Sequence, residues 1–226
     1  YVGSPLAREI HSDTPKAEFC LKHGLDLKKQ IVALLPGSRH KEIVRILPEM
    51  LASAGLMAKD DPSIQFVIAL ASVRKLNEVN EAITVARRRG VSLPENLLTI
   101  HDETFDVLNA SDVSAVASGT ATLETGIIGT PMAIVYKTSA INYNLLRPLI
   151  DVEHFGLINL IAGKRVSNEL IQDDFTPETL SAELFRLLEP EENAKVREQL
   201  RIAADKLGHG GASKRAAEAV LRMLNS

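Results

Sequence analysis

Five short apolar runs, each bounded by turn residues and followed by a different periodicity, constrain this chain more than any other feature. They are "QIVALLP" from Gln30, "IQFVIAL" from Ile64, "NLLTI" from Asn96, "DVSAVA" from Asp112 and "PMAIVY" from Pro131. Runs this short, apolar at nearly every position, are what a strand covered on both faces requires, and a parallel sheet flanked by helices supplies that environment. The segments between them repeat with helical spacing. That spacing predicts helices over about His40 to Lys59, over about Lys75 to Arg89 with closure at Gly90, briefly after Asp102, and over Thr120 to Ile128. Strand–helix alternation of this kind gives an α/β fold, a Rossmann-like doubly wound parallel sheet.

Outside that repeat the chain reads differently. "PKAEFCLKHG" is a helix ending at Gly24, where glycine suits a left-handed cap. From Asp173 onward the pattern is helical, opening on Thr176-Pro177-Glu178 with a capping hydroxyl, a proline and an early acid. Further helices are expected over about Glu191 to Leu207 and Ala212 to Leu224. The expected organisation is therefore 1–29 as the end of a preceding domain with its linker, 30–172 as the Rossmann-like domain, and 173–226 as carboxy-terminal helices. The first residue is Tyr1, and "YVGSPL" reads like the end of a strand, so the chain is expected to be part of a longer protein.

Composition removes several function classes. A net charge of -3 argues against a general nucleic-acid binder, and Arg87-Arg88-Arg89 reads as a solvated helix face. The single cysteine, Cys20, permits no internal disulfide and fits a reducing compartment; its apolar surroundings favour a buried, unreactive thiol. No run approaches the roughly 18 apolar residues of a membrane span, and no signal-peptide pattern opens the chain. There is no G-x-x-x-x-G-K-[ST] loop, no G-x-G-x-x-G after a strand and no Gly-x-Ser-x-Gly elbow; no Asp-x-Asp occurs and the six histidines form no H-x-x-x-H pair, so no metal is expected. Asp60-Asp61 and Asp173-Asp174 read as turn and cap acids, and "GHGGAS" (208–213) lies between helices, away from any strand end.

In an open parallel sheet, ligands bind beyond the carboxyl ends of the strands, which singles out three turns. After the first run comes "LLPGSRHKE": Gly37 allows a sharp turn, Ser38 offers a hydroxyl or a helix cap, and Arg39 carries a planar fork suited to phosphate oxygens. A capping serine and a solvated arginine explain the same residues without a ligand. After the fourth run, Ser118, Gly119 and Thr120 open a helix whose unpaired N–H groups attract anions. Glu124, four residues after Thr120, shares its helix face and is suited to accept from ribose hydroxyls; a solvated acid is the alternative. In "GLINLIAGKRVSNELIQ", Asn159 stands inside an apolar run, and its amide needs partners from either the backbone or a ligand.

Four motifs in order, "LLPGSRHKEI" (34–43), "ASGTATLE" with "GTPMAIVYK" (117–137), "LINLIAG" (157–163) and "LGHGGASKRAAEAVL" (207–221), resemble the lipid-A-disaccharide synthase family. The resemblance runs over nearly the whole chain. It implies a bacterial glycosyltransferase of the two-domain GT-B architecture, of which this chain resembles the carboxy-terminal, donor-binding part. Such enzymes join UDP-2,3-diacylglucosamine, the donor, to 2,3-diacylglucosamine 1-phosphate, the acceptor, and release UDP, with neither metal nor organic cofactor. Carried over residue by residue, Arg39 would meet the diphosphate and stabilise charge on the leaving UDP, with Gly37 and Ser38 beside it as substrate-binding residues. Ser118, Gly119 and Thr120 would hold the diphosphate, Glu124 the ribose, and Asn159 would lie near the donor sugar or phosphates. The general base belongs to the family's amino-terminal domain, so no residue here takes that role. Ser4, Ile158 and Asn168 stand where the family usually has histidine, proline and proline. The resemblance also implies a cytoplasmic enzyme peripheral to the inner membrane and leaves room for a homodimer. "INYNLLRPLIDVEHFGLI" (141–158), with Arg147, is the best local match to an interfacial or acyl-chain surface, although burial in a domain or subunit interface is the favoured reading of it. Related readings are a UDP-N-acetylglucosamine 2-epimerase, a peptidoglycan glycosyltransferase, or a nucleotide-binding module without chemistry.

Overall fold

A computed structural model describes residues 9–138, 154–208 and 212–224. The readings of "YVGSPL", Ser4, Arg147 and most of 141–158 lie outside the described residues. Three of the apolar runs become the central strands β1 (Ile31–Leu35), β2 (Gln65–Leu70) and β4 (Val113–Ala117), buried at every position. β5 (Met132–Tyr136) is buried except at its last residue, while β3 (Leu97–His101) is only partly covered. The difference follows from position, because the sheet order is β3-β2-β1-β4-β5-β6, which puts β3 at an edge.

The opposite edge is β6 (Glu169–Ile171), a three-residue strand that the apolar-run pattern did not predict. It begins with a glutamate and is too short to generate a run, so its pairing with β5 is a tertiary effect. All five pairings are parallel; Val32, for example, lies beside Phe66 on one side and Val113 on the other.

Among the described residues the α-helices are α1 (Lys16–His23), α2 (His40–Asp60), α3 (Leu76–Arg88), α4 (Thr104–Ala110), α5 (Thr120–Ile128), α6 (Leu157–Ala162), α7 (Pro177–Leu188), α8 (Pro190–Asp205) and α9 (Ala212–Leu224). α2 packs with α3 and α7, whereas α5 packs with α4, α6 and α8, as expected of two helix layers. One apolar core joins the layers to the sheet: Ile46 and Met50 of α2, Leu123 of α5, Leu184 of α7 and Leu200 of α8 all belong to it. Arg197 fastens α8 to the sheet end, donating to Gly129 O at 3.0 Å and Asp112 O at 3.2 Å and, through Nε, to Asn193 Oδ1 at 2.8 Å. Burial pulls its pKa below the usual guanidinium value against the opposing field of Asp112.

The strand order reverses direction between β1 and β4. Helices α2 and α5 leave these neighbouring strands toward opposite faces, and their first turns part at the carboxyl end of the sheet. This is the place where a doubly wound fold opens a ligand crevice.

Candidate functional site

The crevice is present as a cleft of about 320 Å³. Its walls include Gly37, Ser38 and Arg39 from the turn after β1 and Ser118, Gly119, Thr120, Ala121 and Glu124 from the turn after β4. Glu42 of α2 and Thr104 at the start of α4 complete it. The structure thus brings together every site residue expected from the sequence except Asn159. A larger groove of about 630 Å³ lies between α2 and the 90–96 loop. Its residues Ile64 and Asn96 precede β2 and β3, so it faces the wrong end of the sheet for the ligand rule.

The turn after β4 is built to expose N–H groups. Gly119 caps α5 with φ 155° and ψ -160°, a conformation closed to residues with a side chain. A Cβ there would meet nothing within 4 Å, so the glycine is required by backbone geometry and also leaves the approach open. The Thr122 N–H donates to Gly119 O at 3.1 Å, and the Thr122 hydroxyl donates to the same carbonyl at 2.8 Å. Among the described residues, the N–H groups of Gly119, Thr120 and Ala121 have no hydrogen-bond partner. Three free donors and the positive end of a nine-residue helix face one cleft.

Ser118 behaves differently from its neighbours. Its N–H donates to Val135 O and its hydroxyl to Phe155 O, both at 2.8 Å. With both donors spent on protein, it shapes the turn and offers a ligand no donor. The donor that sequence spacing passed over is Ala121, an apolar residue whose contribution is its backbone.

The turn after β1 already holds an anion. The Glu42 carboxylate accepts from Ser38 N at 3.3 Å, Arg39 N at 3.2 Å and Arg39 Nη1 at 2.7 Å. Gly37, at φ 102°, makes room for it, since a Cβ would come within 2.6 Å of Glu42 Oε2. The Ser38 hydroxyl therefore does not cap α2; the N-cap is Arg39, and Glu42 reaches back to its amide. The Arg39 side chain is 82% exposed and engages Glu42 through one nitrogen only, which leaves the rest of its fork open to the cleft. Glu42 was not singled out in the sequence; its place three residues after the cap is the signal that marks it.

Glu124 lies half-buried on the same face of α5 as Thr120, and burial raises its pKa above the ordinary carboxylate value. A carboxylate drawn partly out of water and given no donor among the described residues is suited to accept from hydroxyls. Asn159 corrects the expectation of a ligand contact. It is fully buried, donates to Ser167 O and Glu169 Oε1 at 2.8 Å each, and accepts from Val166 N and Ser167 N at 2.9 Å each. All its hydrogen-bonding capacity goes to protein, the alternative that the sequence had left open. Among the described residues, no group of three or more His, Cys, Asp or Glu side chains is placed to hold a metal ion.

The lipid-A-disaccharide synthase of Geobacter metallireducens is 40% identical over 225 residues, covering 99% of this chain and 57% of that protein. The chain thus spans a little over half the length of the curated relatives it matches. Among solved structures, a UDP-N-acetylglucosamine 2-epimerase from Listeria monocytogenes superposes with a TM-score of 0.61 at 16% identity, covering 99% of this chain and 53% of that one. WaaG, a glycosyltransferase involved in lipopolysaccharide biosynthesis, superposes at 0.60 with 17% identity, covering 92% and 51%. At such identities these two share the fold, a Rossmann-like half of the GT-B architecture. The family described as Lipid-A-disaccharide synthetase matches residues 1–222. With that match and relatives at this level of identity, the chain belongs to the lipid-A-disaccharide synthase family.

Proposed function

We propose that this chain is the donor-binding part of a hexosyltransferase that forms the lipid A disaccharide. The donor is UDP-2,3-diacylglucosamine, the acceptor 2,3-diacylglucosamine 1-phosphate, and UDP is released. The observation that supports the reading is the set of three N–H groups at Gly119–Ala121, unpartnered among the described residues, lining one cleft with the exposed Arg39. In the transfer, an acceptor hydroxyl oxygen bonds to the donor's anomeric carbon while the bond from that carbon to the diphosphate oxygen breaks. The electron pair stays on UDP, and the acceptor proton passes to a base in the part of the family's length that this chain does not span. Negative charge grows on the diphosphate, where fixed N–H donors and a guanidinium stabilise the transition state more than the ground state. Glu124 accepts from the ribose hydroxyls at the other end of the nucleotide.

The acylated substrates put the reaction at the cytoplasmic face of the inner membrane, with peripheral contact, and a homodimer is compatible with it. Among the described residues no helix is long and apolar enough to cross a membrane. Calorimetric titration of the chain with UDP tests the reading. Saturable binding is expected, and no heat of binding at millimolar UDP from folded protein would contradict it. Acylated UDP-glucosamine binding more tightly than the unacylated sugar nucleotide is the outcome expected of this substrate class.

A further inference from the structure

Behind the cleft lies a closed polar knot between α6 and β6. Glu169, buried at the start of β6, accepts from Phe155 N at 3.0 Å, Gly156 N at 2.9 Å and Asn159 Nδ2 at 2.8 Å. Asn159 in turn fixes the backbone of Val166, Ser167 and Glu169's own side chain. The knot lies outside the cleft, yet its links end there. Phe155 O accepts the Ser118 hydroxyl at 2.8 Å, and Leu157 N donates to Thr122 Oγ1 at 3.1 Å. Thr122 Oγ1 then donates to Gly119 O at 2.8 Å. Ser118 and Thr122 bracket the three residues whose N–H groups have no partner among the described residues. Packing reinforces the connection, because a Cβ on Gly126 of α5 would lie 2.5 Å from Ile158 Cδ1.

We propose that Glu169, with Asn159, is a positioning residue for the anion seat. It fixes residues 155–157, which hold Ser118 and Thr122 so that the N–H groups of Gly119, Thr120 and Ala121 converge on the cleft. This rests on the reading of that turn as the diphosphate seat. A buried carboxylate is an expensive way to satisfy N–H groups in a loop of no consequence. Here it fixes the chain segment that touches both ends of the seat. Such an arrangement removes the cost of ordering the turn when a ligand arrives.

Two variants of the 226-residue chain test it, each titrated with UDP and with uridine and each observed by amide NMR without ligand. Glu169→Gln turns an N–H donor toward Phe155 N, and UDP affinity is expected to fall about tenfold while uridine affinity stays within about twofold. Ser118→Ala cuts the link to Phe155 and leaves the knot intact. A loss of about threefold in UDP affinity alone is expected, with the thermal midpoint near that of the parent. In both variants the Gly119, Thr120 and Ala121 amide resonances are displaced before any ligand is added. Unmoved resonances, or equal losses for UDP and uridine, overturn the proposal. Where Glu169→Gln does not fold, Ser118→Ala decides alone. Failure of the parent to bind UDP would instead remove the functional reading, an outcome the ligand-free resonances keep separate.

Discussion

The turns after β1 and β4 are neighbours at the carboxyl end of one sheet, and each carries a glycine at positive φ on the way into a helix. In the first, the Ser38 and Arg39 amides already end on the Glu42 carboxylate. In the second, the Gly119, Thr120 and Ala121 amides end on nothing among the described residues. A carboxylate three residues into a helix completes a cap and uses the donors that an anion would need. The absence of such an acid at Thr122 leaves the donors of α5 available. On the proposed reading the turns take unlike tasks: the second would seat the diphosphate through its backbone, and the first would supply the exposed charge of Arg39.

That division can be broken at its strongest point by Gly119→Ala. A side chain at φ 155° carries about 1–3 kcal/mol of strain, so the turn relaxes and UDP affinity falls by about 30-fold in calorimetry. An unchanged affinity would show that the seat is elsewhere. Arg39→Ala comes next. Because the side chain is 82% exposed and water screens its charge, the expected loss is about tenfold for UDP, with uridine unaffected. Raising the salt concentration should shrink that difference; equal losses for UDP and uridine would take Arg39 off the diphosphate.

Glu124 supplies a smaller effect with a pH signature. Burial raises its pKa, and hydrogen bonds from ribose hydroxyls favour the ionised form, so binding expels a proton. UDP affinity should fall as the pH drops through the raised pKa, and Glu124→Gln should flatten that dependence. The stability sign is opposite: a raised folded-state pKa favours the fold at low pH, and this contribution is lost as pH rises through it. The smallest effect on binding is expected from Glu42→Ala. It costs about 1 kcal/mol of stability through the lost cap, read as a lower thermal midpoint, with UDP affinity within about twofold. A collapse of UDP binding would erase the distinction between the two turns.

What the sequence made legible depended on whether its signal was local. Five strands were readable as apolar runs, four of them because burial on both faces leaves the run uninterrupted and the partly covered edge strand β3 because its run is still largely apolar, and α5 began at Thr120 as its spacing implied. β6 was invisible, since three residues beginning with Glu169 carry no period and pair only because β5 is there. The cleft residues were legible from their place after strands, which topology turns into proximity. The roles within the cleft were not. Ser118 looks like a donor until its partners Val135 and Phe155, distant in sequence, consume both of its hydrogens. Asn159 looks like a ligand contact until Val166, Ser167 and Glu169 close around it. Whether a polar group is free or spent is a property of the assembled fold.

The central claim concerns which backbone amides receive the diphosphate, and a titration of the uniformly ¹⁵N-labelled chain with UDP reads it directly. The account predicts large, saturable shifts at Gly119, Thr120 and Ala121, with the Ser38 and Arg39 amides moving little because Glu42 retains them. Large shifts at Ser38 and Arg39 with Gly119–Ala121 unmoved would contradict it.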